Sequence, residues 1–219
     1  MKIFDAFKKK KEMRVISVFN QKGGVGKTTT VVNLASALGF NKKKVLVIDM
    51  DPQGNSTSGL GVEEPEVTIY DVLTHEKEIN DTIIQTKSKN VDLIPANADL
   101  CGLEIELLNV DKKEYLLKEE LPKIPENYDF IIIDCPPSLS VLSINSLVSS
   151  HSVLIPIQCE YYALEGVSQL MNTVNIIRKG LNPELEIEGV LLTMYDSRNN
   201  LSEDVKNETE NYFKDKLFD

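Results

Sequence analysis

Lys22-Gly23-Gly24-Val25-Gly26-Lys27-Thr28-Thr29-Thr30 is the stretch on which the fold of this chain turns. A β-branched run, Arg14–Phe19, precedes it, and a helical pattern over Thr28–Phe40 follows. Glycines in such a strand–turn–helix junction let the backbone curl so that successive N–H groups point inward around an anion. The helix N-terminus adds partial positive charge at the same point. Gly23, Gly24, Val25, Gly26, Lys27, Thr28 and Thr29 are therefore the expected phosphate contacts. Lys27 is expected to reach the β and γ phosphates and Thr28 to ligate Mg2+, which makes ATP and Mg2+ the expected ligands. One departure from the common G-x-x-x-x-G-K-[ST] spacing stands out: Gln21 occupies the first glycine position, and Lys22 follows it. One phosphate cradle needs only one lysine. On the residues alone, Lys22 is either a solvated loop charge or a group that reaches another phosphate pocket.

Outward from this loop, short apolar runs alternate with helical patterns, the signature of a parallel sheet covered on both faces. Strands are expected at Arg14–Phe19, Val45–Asp49, Val91–Pro95, Phe130–Asp134, Ser152–Pro156 and Ile187–Met194. Helices are expected at Thr28–Phe40, Leu100–Glu120 (broken), Leu139–Ser149, Leu164–Lys179 and Leu201–Lys216. This predicts an α/β domain over residues 13–219, a mainly parallel sheet flanked by helices on both faces. Ligands in such sheets sit beyond the carboxyl ends of the strands. Asp49, Asp51 and Asp134 should thus crowd one edge beside the glycine loop.

Asp49-Met50-Asp51-Pro52-Gln53-Gly54-Asn55 ends the second strand. Mg2+ takes oxygen ligands, often through water, and an attacking water needs an acceptor to orient it. Two acids at i and i+2 on an emerging strand point the same way, although Asp-Pro and Gly-Asn are also ordinary turn chemistry. Phe130-Ile131-Ile132-Ile133-Asp134-Cys135-Pro136-Pro137 is an apolar strand ending in an acid, which places Asp134 to hold the Mg2+ hydration shell.

The 219 residues carry 34 acidic and 24 basic side chains, a net charge of −10. That sign argues against a dedicated nucleic-acid binder, although it leaves room for a local basic patch. No apolar run approaches the ~18 residues that cross a bilayer, and the lysine-bearing start lacks the apolar core of a secretory signal. A cytoplasmic location follows as the expectation. Cys101, Cys135 and Cys159 are an odd number at no repeating spacing, which fits reduced, mostly buried thiols.

Taken together, Asn20–Thr28, Asp51-Pro52-Gln53-Gly54-Asn55, Asp134-Cys135-Pro136-Pro137-Ser138-Leu139, Pro156–Gly166 and Leu192–Arg198 resemble the ParA/Soj branch of the deviant Walker A (SIMIBI-type) P-loop ATPases. The resemblance covers about residues 13–219. It implies a slow ATPase for chromosome or plasmid partition that forms a sandwich homodimer on ATP. Lys22 would match the signature lysine that crosses to the partner's ATP, and Gly23 would allow close approach at the dimer face. Asp51 would match the acid that positions the attacking water. The dimer would bind DNA non-specifically, associate with the nucleoid and meet a ParB-like partner. Arg198 falls where family members place DNA-contacting arginines.

The resemblance also implies a further C-terminal segment with an Arg-containing loop beside the adenine, a last strand and a closing helix. The chain is accordingly expected to be truncated after Asp219. Met1–Glu12 is an extension before the usual start at Met13. It reads as a disordered tail in preference to a weakly amphipathic helix touching an anionic membrane. Three other readings remain. A MinD-like membrane-associated positioning ATPase shares both lysines, but usually lacks Asp-Pro-Gln-Gly-Asn. An electron carrier of the nitrogenase-reductase type would need interface cysteines, and a scaffold that binds ATP without turnover would not need Asp51.

Overall fold

A computed structural model of the chain describes residues 13–161 and 163–218. The extension over residues 1–12 lies outside the described residues. Strands β1 (Arg14–Val18), β2 (Val45–Asp49), β3 (Ile84–Gln85), β4 (Val91–Ile94), β5 (Phe130–Asp134), β6 (Ser152–Gln158) and β7 (Glu186–Thr193) form one sheet. Their order is β3–β4–β2–β5–β1–β6–β7. Every pairing is parallel except that of β3 with β4. The helices are α1 (Lys27–Phe40), α2 (Asn55–Gly59), α3 (Ile69–Leu73), α4 (Leu103–Glu106), α5 (Leu116–Glu120), α6 (Val141–Ser149), α7 (Ala163–Gly180) and α8 (Asn200–Phe213).

Alternation along each strand sends neighbouring residues to opposite faces. Ile16, Val18, Val45, Val47, Phe130 and Ile132 pack with Val31, Leu34, Ala35 and Leu38 of α1 in one core. Val15, Leu46, Ile48, Ile131 and Ile133 point the other way and join Leu142, Leu147, Leu170 and Val174 from α6 and α7. Both faces are covered, so the central strands are apolar nearly throughout, as parallel strands between two helical layers must be.

Several expectations needed correction. β6 runs through Pro156 to Gln158 rather than stopping at the proline. β1 accompanies β6 only as far as Leu154, so the proline's missing N–H falls beyond the end of that neighbour. The Pro156 carbonyl instead accepts a bond from Asn20 Nδ2 at 2.8 Å. The expected broken helix Leu100–Glu120 is a string of single turns, including the 3-10 turns Ala98–Cys101, Leu107–Asn109 and Lys113–Tyr115. β3, α2 and α3 had no periodic signal, because two to five residues are too few to show one. At the far edge, Leu217 makes a parallel bridge with Val190, and the Phe218 N–H donates to the Val190 carbonyl at 2.9 Å. Gly189 is required there: a Cβ would stand 2.3 Å from the Phe218 ring.

Candidate active site

The glycine loop leaves β1 after Val18 and closes on α1. Gly24 (φ 75°) and Gly26 (φ 86°) both take left-handed backbone conformations that a side chain would strain. No side chain caps α1, so N–H groups of its first turn remain unused. Lys27 is buried, and its ammonium folds back to the Lys22 carbonyl at 2.9 Å. Burial lowers the Lys27 pKa, while the neighbouring Asp134, Cys135 and Asp51 act to raise it. Thr193, at the end of β7, buttresses the loop by donating to the Val25 carbonyl at 2.9 Å. Thr28 and Thr29 open α1 beside these groups.

Asp49 and Asp134 are register partners on β2 and β5, and both are fully buried. Asp134 Oδ2 accepts from Ser56 Oγ at 2.6 Å, whereas its Oδ1 has no hydrogen-bond partner. Burial pushes the Asp134 carboxyl up to about 6; the Ser56 and Thr28 hydroxyls and the Lys27 charge pull the other way. A buried, unpartnered carboxylate oxygen next to a threonine hydroxyl and a lysine fits a hydrated Mg2+, which keeps several waters and asks few protein ligands. The described residues contain no cluster of three or more His, Cys, Asp or Glu able to enclose a metal, and such a site needs none.

The expectation that Asp49 and Asp51 point the same way is corrected. Asp49 turns inward and accepts from Thr57 N–H and Thr57 Oγ1, both at 2.8 Å, and from Asp51 N–H at 3.1 Å. Burial, then the charge of Asp134, pushes it up to about 7. Its donors are Asp51, just past β2, and Thr57 of α2, so Asp49 pins the turn that lies between them. Asp51 is the acid left at the edge. Its Oδ1 caps the Gln53 N–H at 3.0 Å, and it lines a cleft of about 470 Å3 with Gln53, Pro136, Pro137, Ser138 and Cys101. A larger cavity of about 1020 Å3 lies along β7 and α8, lined by Leu192, Tyr195, Lys206 and Phe218. None of the phosphate-loop residues borders it, so size does not identify the site.

The remaining expected residues lie at the rim. Gly23 is open, with only Pro137 Cβ at 4.0 Å from where its Cβ would stand. Lys22 is half-exposed at the loop mouth and ion-paired with Glu160 of the same chain. Arg198 is 88% exposed and grips Asp196 through Nε at 2.9 Å and Nη2 at 2.8 Å. Of the cysteines, only Cys135 is buried, with its thiol pushed up to about 12 by that burial; Cys159 is partly buried and Cys101 exposed. Cys135 thus turns into the core. Sequence reasoning missed Ser56, Thr57, Thr193 and Glu160. Ser56 and Thr57 directly follow Gly54-Asn55, where a helix start would have drawn attention to hydroxyl donors. The other two lie far along the chain, Thr193 at the end of β7 and Glu160 just past β6, inside stretches whose resemblance assigns neither of them a role.

A family model described as an AAA domain matches residues 13–187. Over 207 residues the chain is 54% identical to the sporulation initiation inhibitor protein Soj of Bacillus subtilis (strain 168), covering 94% of this chain and 82% of that protein. It is 49% identical over 208 residues to the chromosome partitioning protein ParA of Myxococcus xanthus (strain DK1622), covering 94% and 74%. Among solved structures, cobyrinic acid a,c-diamide synthase from Mycobacterium smegmatis with bound ADP and magnesium matches with a TM-score of 0.87 at 41% identity, over 92% of this chain and 82% of that one.

Proposed function

The chain belongs to the ParA/Soj family of partition ATPases, and we propose that it works as a switch that dimerises on ATP and dissolves on hydrolysis. It is an ATPase that uses ATP and Mg2+. Bound MgATP supplies the γ-phosphoryl group and the negative charge that the loop is shaped to receive. The chain's own groups divide the work. Gly23–Thr29 present backbone donors, and Lys27, already turned back over the loop, follows the β and γ phosphates. Thr28 and Asp134 hold the Mg2+, the acid through water. Asp51 orients the attacking water from the cleft edge, while Asp49 fixes the Asp51 backbone.

One observation carries the dimer: a single loop holds two lysines in opposite settings. Lys27 is buried and serves its own cradle, whereas Lys22 stands half-exposed at the mouth, with its ammonium paired to Glu160. A charge in that place suits the phosphates of a second subunit. The ATP dimer is proposed to bind DNA non-specifically on the nucleoid and to answer a ParB-like partner. Arg198 is the proposed DNA contact; its exposed guanidinium exchanges Asp196 for a backbone phosphate. The described residues contain no helix long and apolar enough to cross a membrane.

Sedimentation of Lys22→Ala with MgATP, in an Asp51→Ala background that prevents hydrolysis, tests this reading. A charge-assisted phosphate contact is worth ~1.5–3 kcal/mol and two-fold symmetry counts it twice, so the dimer constant should fall by roughly two to four powers of ten. A tight dimer in that variant sinks the model.

A further inference from the structure

We propose that Glu160 is the positioning residue for Lys22: its carboxylate parks the ammonium inside its own chain and sets how readily Lys22 is handed to a second subunit. This rests on the crossing role assigned to Lys22 above. The ion pair joins the loop mouth to the segment between β6 and α7. The backbone around Lys22 is already tied down. Asn20 Nδ2 donates to the Pro156 carbonyl at 2.8 Å and Gln21 Nε2 to Thr173 Oγ1 at 3.0 Å. The Lys22 N–H donates to Asn20 Oδ1 at 3.0 Å, and its carbonyl accepts from Lys27. Only the side chain beyond Cβ is left to move.

Glu160 is held as firmly. Its N–H donates to the Gln158 carbonyl at 2.9 Å, and the preceding Cys159 N–H donates to the Thr193 carbonyl at 3.1 Å. Both anchors of the loop front, Pro156 and Thr173, belong to β6 and α7, the elements that flank Glu160. The parked lysine is therefore drawn toward β6 and α7, while the opposite side, over Gly23, is open. The two lysines answer to different acids. Asp134 and Asp51 act on Lys27, and Glu160 pairs with Lys22. With side chains 46% and 29% exposed, the pair is screened by solvent, so it sets a threshold for release and does not block it.

The test is sedimentation equilibrium of the full chain with MgATP in the Asp51→Ala background, comparing Glu160→Gln, Glu160→Asp and Lys22→Ala/Glu160→Gln. An exposed pair worth ~0.2–1 kcal/mol, broken in both subunits on association, predicts a dimer about 2- to 30-fold tighter for Glu160→Gln. Glu160→Asp, which keeps the charge, should stay nearer the parent. In the Lys22→Ala background at high protein concentration, Glu160→Gln should add nothing. An unchanged or weaker dimer in Glu160→Gln overturns the parking role, and so does equal tightening without Lys22, which would mean simple relief of repulsion. If Lys22→Ala itself leaves the dimer constant at the parent value, the crossing role falls and parking falls with it.

Discussion

The ends of β1, β2 and β5 and the end of β7 meet at the same edge of the sheet, yet they satisfy their polar groups in opposite ways. At the first three, Asp49, Asp134 and Lys27 are buried, and Asp134 takes its hydroxyl from Ser56, 78 residues away in sequence. At the end of β7, Arg198 pairs with Asp196 two residues back, and Tyr195 donates to Glu203, all at the surface. Buried groups lose much if one partner goes, whereas exposed local pairs are worth little and exchange easily. The first region is thus built as a fixed receptor. The second is a surface that can take a new partner without disturbing the fold.

Four measurements bear on that contrast, from the largest expected effect to the smallest. Asp51→Ala should still bind ATP but lose turnover by a hundred- to ten-thousandfold, since positioning a water matters in the transition state. Unchanged turnover would leave Asp51 as a turn cap and nothing more. Lys27→Ala should weaken MgATP binding by about 2–5 kcal/mol, as for a buried charge that loses its counterpart. Near-native affinity in a calorimetric titration would break the fixed-receptor picture.

Thr57→Val strips one donor from the buried Asp49 carboxylate and should cost about 1–3 kcal/mol in urea unfolding. Arg198→Ala, by contrast, should move the same midpoint by less than about 0.5 kcal/mol, because its pair is solvated. Equal losses would erase the distinction between the two ends.

The fourth measurement is the pH dependence of the nucleotide-free protein. Asp49 and Asp134 sit at about 7 and about 6 when folded, above the ordinary 3.8 of an unfolded aspartate. As pH rises past 3.8, the unfolded chain gives up these protons first, so stability falls until the folded groups have also titrated. Lowering the pH from 8 to 6 should therefore stabilise the protein by about 2 kcal/mol, or a few degrees in Tm, at these two sites. Asp49→Asn should flatten much of that gain. A slope of the opposite sign would show that the two acids are better solvated than their burial implies.

Much of this was legible in the sequence. Six of the seven strands fell where β-branched runs and turn residues put them, because buried parallel strands leave an almost unbroken apolar signature. The phosphate loop was equally plain, since Gly24 and Gly26 must adopt conformations that only glycine takes freely. The acids were harder to read. Spacing placed Asp49 and Asp51 on one face, but it could not see that the turn after β2 curls back and spends Asp49 on Thr57. Short elements such as β3 and α2 carried too few residues for any period to register.

By itself, then, the sequence determined the sheet, the loop that receives phosphate and the presence of two lysines where one suffices. These are local properties, written in residue type and spacing over a dozen positions. Only the tertiary structure decided which acid faces the cleft, which carboxylate oxygen is left without a partner, and which acid holds Lys22. Glu160 lies 138 positions along the chain from Lys22, and β6 ending beside β1 is what brings them together. A contact of that kind depends on strand order, which no short stretch of sequence encodes.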